Sequence, residues 1–333
     1  MLRFTRHILV LMAMTGLLDL VLAACGDGDE NDAPTATPEV SDEFPVTLTG
    51  SDGQELTFTS PPQRIVSLSA GHSEILFAIG AGDQVVAVDL FSDYPPEAAS
   101  IAVRLDSFEP SVEAIAALEP DLVILFFTPE GLMDQLRGLG IPVFFDDLNN
   151  EVTSIEALFE SIVKLARATG HTVEAEELVA GLRARVDAVV EAVEDVERGP
   201  TVYHELDEFL FTVSPDSLVG DLYRTLKAES IVRADEGTFP SLSQEAIIER
   251  NPEVIVLADA EFGQTPEVVS ARPGWDTISA VANGRVYVID PDIVSRPGPR
   301  IVDALEELAR LLYPELFATQ GRSPCSVCFA DAA

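Results

Sequence analysis

Between Thr153 and about Glu197 the sequence carries a helical signal with no strand pattern, set between two halves that each alternate strands and helices. Such a chain is constrained to two α/β bodies joined by a helical connector. Thr153 and Glu156 stand at capping-box spacing, where the hydroxyl and the carboxylate each meet an orphan backbone N–H. Ile155, Leu158, Phe159, Ile162 and Leu165 then recur at helical spacing. Gly170 suits a left-handed cap, and a second helix begins near Thr172, with Glu174, Glu176 and Glu177 complementing its N-terminal dipole. It ends before Gly199 and Pro200.

The first half opens on period-two alternation around Ser51, Asp52 and Gly53, which predicts a hairpin. Strands are expected at 64–68, 85–88, 122–127 and 142–145, with helices at 74–79, 112–118 and 132–139. The apolar run 122–127 is of the kind buried on both faces of a parallel sheet. The second half repeats the grammar, with strands at 201–203, 254–257 and 286–289, helices at 218–226, 244–250 and 277–282, and a final amphipathic helix at 301–312.

The halves also share a motif. Glu113, Ala114 and Ile115 lead to Pro120, Asp121 and an apolar strand, and Glu245, Ala246 and Ile247 lead to Pro252, Glu253 and another at the same Glu-to-Pro spacing. Pro240 and Ser241 lie slightly further upstream of their Glu than Pro110 and Ser111 do. Two lobes of common design, meeting across a helix, leave a cleft between them.

At 333 residues the chain is long enough for two domains, and a formal charge of -37 excludes nucleic acid and other polyanions as partners. Arg3, Arg6 and His7 precede an apolar run from Ile8 to Ala24 that meets a small-residue site ending in Cys25. This resembles a bacterial lipoprotein signal, so residues 1–25 are expected to direct export, with Cys25 lipidated and holding the protein outside the cytoplasmic membrane. Residues 26–44, mostly Asp, Glu, Pro and Thr, read as a tether. The folded chain then divides into a first lobe at 45–152, an interlobe helix at 153–170, a second lobe at 171–318 and a tail at 319–333.

Residues 62–318 resemble the extracytoplasmic substrate-binding proteins of ABC importers that carry cobalamin, ferric siderophores and haem. The matching segments are 64–68, 74–83, 92–98, 113–124, 272–275, 280–286 and 296–300. The resemblance implies two Rossmann-like α/β lobes joined by a single long interlobe helix, a ligand cleft between them, and small lobe motions. It implies a cobalt or iron chelate as cargo, no cofactor or resident metal, and a monomer that presents its cargo to a permease dimer driven by a cytoplasmic ATPase. Glu113 and Glu245 fall on the positions that dock such proteins onto the permease, and complementary charge on two rigid lobes fixes register on a two-fold partner. Tyr94 and Phe239 match cleft aromatics, Asp292 and Arg296 match a polar pair that hydrogen-bonds corrin side chains, and Phe108 lies near the place of a tryptophan that this chain lacks. Flat aromatics with a few polar groups suit a large amphipathic chelate.

His72 in the loop after the first strand, and His204 with Glu205 after the strand that opens the second half, are candidates for one ligand from each lobe at an axial metal position. A haem receptor of the same fold and a sensory or adhesive lipoprotein are the alternative functions. The sequence has no Gly-x-Ser-x-Gly elbow, His-Glu-x-x-His or phosphate-binding loop, and an enzyme is not expected. Cys325 and Cys328 in the tail are expected to form a local disulfide or to lie in a disordered end.

Overall fold

The computed structural model describes residues 44–317 except Thr128 and Ala234. The signal segment with Cys25, the tether up to residue 43 and the tail with Cys325 and Cys328 lie outside the described residues.

An antiparallel hairpin comes first, β1 (Val46–Thr49) with β2 (Glu55–Phe58), its turn using Gly53 at φ 75°. β3 (Ile65–Leu68), β4 (Val85–Asp89), β5 (Arg104–Leu105), β6 (Leu122–Leu125) and β7 (Val143–Phe145) then form a parallel sheet in the order β5-β4-β3-β6-β7. The second lobe holds β8 (Thr201–Glu205), β9 (Glu229–Ser230), β10 (Val254–Leu257) and β11 (Val286–Val288), all parallel, in the order β11-β10-β8-β9. β3, β6 and β10 are buried along their whole length, as expected where helices cover both sheet faces. In each sheet the chain leaves its first strand to one side and returns on the other. The direction therefore switches beside β3 in the first lobe and beside β8 in the second, and ligands of open parallel sheets sit outside the carboxyl ends at such points.

The repeated motif does the same work twice. The Ser111 hydroxyl caps the helix Val112–Ala116, and Ser243 caps Gln244–Arg250. Ser243, not Ser241, is therefore the counterpart of Ser111. Glu119 and Asn251 both take positive φ, at 47° and 46°, just before the shared proline. After it, Asp121 accepts the backbone N–H of Gln63 and Arg64 at 2.7 and 2.8 Å, and Glu253 accepts that of Thr201 at 2.9 Å. Each carboxylate thus fixes the start of its lobe's first sheet strand.

The connector is two helices, Ile155–Thr169 and Thr172–Ala192, separated by Gly170 at φ 80°. The cap is Ser154, one residue later than the capping-box spacing suggested, with its hydroxyl 3.1 Å from the Ala157 N–H. The Ile155 N–H donates to Asp221 at 2.8 Å, on the second-lobe helix Leu218–Thr225. The first connector helix also packs on β1 and on the helix Ala70–Ala78, so it touches both lobes, and the second lies along Ile301–Leu312. Arg185 ties that pair, reaching Glu306 at 2.8 Å and also Asp303. Among the described residues no helix is long and apolar enough to cross a membrane.

Three boundaries differ from the sequence reading, with consequences for the site. The first helix begins at Ala70, capped by Ser69, so the expected loop 69–73 is its opening turn. β6 stops at Leu125, which releases Phe126 and Phe127 from the sheet. β8 runs through His204 and Glu205, which draws both into the sheet.

Candidate functional site

The lobes meet along a seam of close backbone contact and ion pairs. A Cβ on Gly71 would lie 2.7 Å from the Pro297 carbonyl oxygen, so only glycine permits this approach. Arg300 of the second lobe grips both oxygens of Glu74 in the first, Nε to Oε2 at 3.0 Å and Nη2 to Oε1, and stacks its guanidinium 4.1 Å from the Tyr94 ring centre. Arg296 reaches Asp93 across the seam at 2.6 Å and Asp292 on its own lobe at 2.6 Å.

Two adjoining cavities open beside this seam, of about 250 and 360 Å³, and share Leu148, Asn149, Ser295 and Pro297 as a common wall. Phe91, Phe108 and Phe126 line the first, together with Ser69 to Gly71 at the carboxyl end of β3. Phe108 is 52% exposed and forms edge contacts with Phe91 and Phe126, at centroid distances of 5.7 and 6.4 Å. Phe127 joins the group at 5.9 Å from Phe108. Phe239, 39% exposed, faces the second cavity from the other lobe with Leu206 and Val213. The site therefore offers a phenyl cluster on one lobe, a single phenyl on the other, and amide and hydroxyl groups between.

Of the residues expected to hold ligand, Phe108, Phe239 and Arg296 line these cavities and the others do not. Tyr94 is committed to Arg300, and Asp292 to Arg296. His72 is buried in the helix after β3, its Nδ1 2.9 Å from the Ser69 hydroxyl and its Nε2 3.1 Å from Asp146. Asp146 also accepts Lys164 of the connector at 2.7 Å; burial raises its pKa, but His72 and Lys164 outweigh that and hold it at about 2. His72 therefore ties a helix, β7 and the connector together, with no ring nitrogen left for a metal.

His204 is equally withdrawn. It lies inside β8 opposite Val256, with Nδ1 2.7 Å from the Tyr223 hydroxyl, and burial pushes its pKa down to about 3, so the ring is neutral. Glu205 is fully buried and held bidentately by Arg272 at 2.6 and 2.6 Å, with Arg272 stacked 4.6 Å over Trp275. This pair fills the switch point of the second sheet, whereas that of the first opens into the cleft. The expected pairing of one histidine from each lobe at a metal does not form, because extending β8 and starting the first helix early buries both rings.

Sequence reasoning missed Phe91, Phe126 and Asn149. The available signal is position: in a parallel sheet, residues just past a strand's carboxyl end point towards the ligand, and the apolar run carries Phe126 into the expected strand.

Beside Glu205 sits Asp259, just after β10, with both carboxylate oxygens buried and no hydrogen-bond partner for them among the described residues. Burial, reinforced by the negative charge of Glu205, pushes its pKa up to about 7. The folded state thus holds a proton that the unfolded chain releases near pH 4. Stability fully present below that pH is lost as pH rises through about 7, by roughly 2–4 kcal/mol after screening. Asp259→Asn is expected to raise the melting temperature at pH 8 and to change it little at pH 4, as followed by calorimetry. An equal shift at both pH values would rule out ionisation as the cause.

Glu113 and Glu245 are exposed, each the second residue of its helix and each two residues after the capping serine. Its own backbone N–H and the Ser243 hydroxyl hold the Glu245 carboxyl below its usual range.

Against known proteins, the periplasmic binding protein model matches residues 65–293. The uncharacterized ABC transporter substrate-binding lipoprotein YvrC of Bacillus subtilis is 30% identical over 90% of this chain and 96% of its own. A cobalamin-binding protein of Halobacterium salinarum is 29% identical over 93% of this chain and 85% of its own. Among solved structures, that of an ABC-type Fe3+-hydroxamate transport system from Saccharomonospora viridis superposes with a TM-score of 0.67 at 27% identity, covering 84% of this chain and 100% of that one. Fold, repeat and cleft agree with these matches, and the chain belongs to the periplasmic binding protein family of substrate-binding transport proteins.

Proposed function

We propose that this chain is the substrate-binding component of an ABC importer, capturing a metal chelate, either a cobalamin-type corrinoid or a ferric siderophore, in the interlobe cleft and delivering it to the permease. The observation that carries the reading is the phenyl cluster of Phe91, Phe108 and Phe126 facing Phe239 across a wall of Asn149 and Ser295. Apolar faces flanking a few neutral hydrogen-bonding groups complement a bulky chelate with an amide or hydroxamate rim. The names of the cobalamin-binding and Fe3+-hydroxamate relatives support the same cargo class. A haem receptor is less favoured, since both candidate axial histidines are occupied or buried.

In this reading Glu113 and Glu245 meet basic residues of the permease, one lobe to each subunit. Lipidation at Cys25 keeps the chain at the outer face of the membrane, and residues 153–170 serve as the link on which the lobes are hung. The protein acts as a monomer with no cofactor of its own.

Calorimetric titration of the full chain in detergent with cyanocobalamin and with a neutral ferric trihydroxamate tests the cargo. One-to-one binding of at least one is expected. Phe108→Ala and Phe239→Ala are each expected to weaken it by about 10- to 100-fold, the loss of one stacked aromatic, at unchanged melting temperature. Binding indifferent to both substitutions would place the cargo elsewhere.

A further inference from the structure

We propose that the cleft selects a chelate that is electrically neutral and whose metal already has a full coordination shell. This rests on the chelate reading above and narrows it.

The first support is the kind of donor present. Neither cavity is lined by histidine, cysteine, methionine, tyrosine or lysine. The one carboxylate, Asp89, is buried and engaged by the hydroxyls of Ser92 and Ser107. Among the described residues no cluster of three metal-ligating side chains exists. A metal with an open axial position would meet phenyl rings and amides there, and neither replaces water as a ligand. A metal already enclosed by its chelator loses nothing on entering.

The second support is charge. Arg296 is the only cation lining either cavity, and its two Nη atoms are taken by Asp93 and Asp292, with Glu74 3.7 Å away. Arg300 is spent on Glu74. Around the cleft two guanidiniums thus face four carboxylates, those of Glu74, Asp89, Asp93 and Asp292, and the whole chain carries -37. An anionic chelate would find no free cation and would approach against the long-range field as well. The remaining polar groups are neutral: the Ser69 and Ser217 hydroxyls and the Asn150 amide are engaged within the chain, and Asn149 and Ser295 can pair with amide or hydroxamate oxygens without any change of charge.

Four probes separate the possibilities in calorimetric titrations of the full chain: cyanocobalamin, a neutral ferric trihydroxamate, a trianionic ferric tricatecholate, and ferric protoporphyrin, which has two carboxylates and open axial positions. The better neutral probe is expected to bind at least about 30-fold more tightly than either of the last two, and ferric protoporphyrin mixed with the chain is expected to keep its unligated spectrum. A smaller ratio, or a spectrum showing a protein axial ligand, overturns the neutral-cargo proposal while leaving the chelate reading intact. Binding of none of the four overturns both. Asp93→Asn removes one of the negative charges that offset Arg296 and is expected to strengthen tricatecholate binding at least about fivefold. No change on that substitution overturns the charge argument.

Discussion

Cells that depend on a chain carrying Glu113→Ala together with Glu245→Ala are expected to take up no chelate, although the purified double variant binds its cargo with wild-type affinity and melts at the wild-type temperature. The two carboxylates lie outside both cavities and are exposed, so neither the cleft nor the core loses a contact. The helix caps survive as well, because the Ser111 and Ser243 hydroxyl oxygens still accept the N–H groups of Ala114 and Ala246 once the glutamates that accept from those hydroxyls are gone. In the function proposed above, the affected step is docking. Two equal charges on equivalent elements of two lobes suit a two-fold partner, and charge pairs at such an interface set both encounter rate and register. One substitution leaves a single anchor and is expected to slow uptake by about tenfold, whereas both together leave the lobes no means of choosing an orientation. Measured uptake of labelled chelate, with the melting temperature as a control, separates docking from folding. Uptake by the double variant at the wild-type rate would remove these residues from the interface.

How much of this was legible beforehand depended on whether the deciding contact was local. The helices Gln244–Arg250 and Ile301–Leu312 and the strand β10 stand where periodicity put them, since an apolar face or run defines each one, with a serine cap added at the first. The Glu-to-Pro repeat was visible too, but its purpose was not. Asp121 holds Gln63 just before β3 and Glu253 holds Thr201 at the start of β8, 58 and 52 residues away in sequence. The edge strands β5 and β9 carry two residues each, too few for any period to register. The site failed for a related reason. Phe126 and Phe127 continue an apolar run, and only the end of pairing with β7 at Phe145 shows that they turn outwards. His72, His204 and Glu205 looked like loop ligands because polar residues beside a strand usually are. Their partners, Asp146, Tyr223 and Arg272, come from distant elements, and no local pattern announces such pairs. The resemblance to chelate carriers pointed to Phe108 and Phe239, which each line one of the two cavities. It did not foresee that Tyr94 turns to Arg300 and leaves the cleft wall to phenylalanines.

Glu74→Ala is expected to lower stability by about 3–5 kcal/mol, which for a chain of this size is a fall of about 10 °C in melting temperature. Glu74 is 2% exposed and carries both hydrogen bonds of Arg300, with Arg296 3.7 Å from the same carboxylate. Its removal leaves Arg300, largely covered at the seam, with the Tyr94 ring beside it and only the more distant carboxylates of Asp290 and Asp292 to offset its charge, and a poorly compensated charge that is mostly out of water is costly. The intact pair adds far less than that figure suggests. Burial pushes the Glu74 carboxyl above its usual range in spite of the pull from Arg300, so desolvation consumes the attraction between the two. Replacing both ends by apolar residues of similar size, as in Glu74→Leu with Arg300→Met, is accordingly expected to cost much less than Glu74→Ala alone. The double replacement also removes one of the two directional grips between lobes, leaving that of Arg296 on Asp93, while Gly71 still sets how closely they approach. If the pair serves to fix the lobe angle, the double variant should keep its melting temperature and yet bind chelate more weakly, with the loss seen in calorimetry. A single variant as stable as the wild type would show that water reaches Arg300, and the seam would then be an ordinary surface contact.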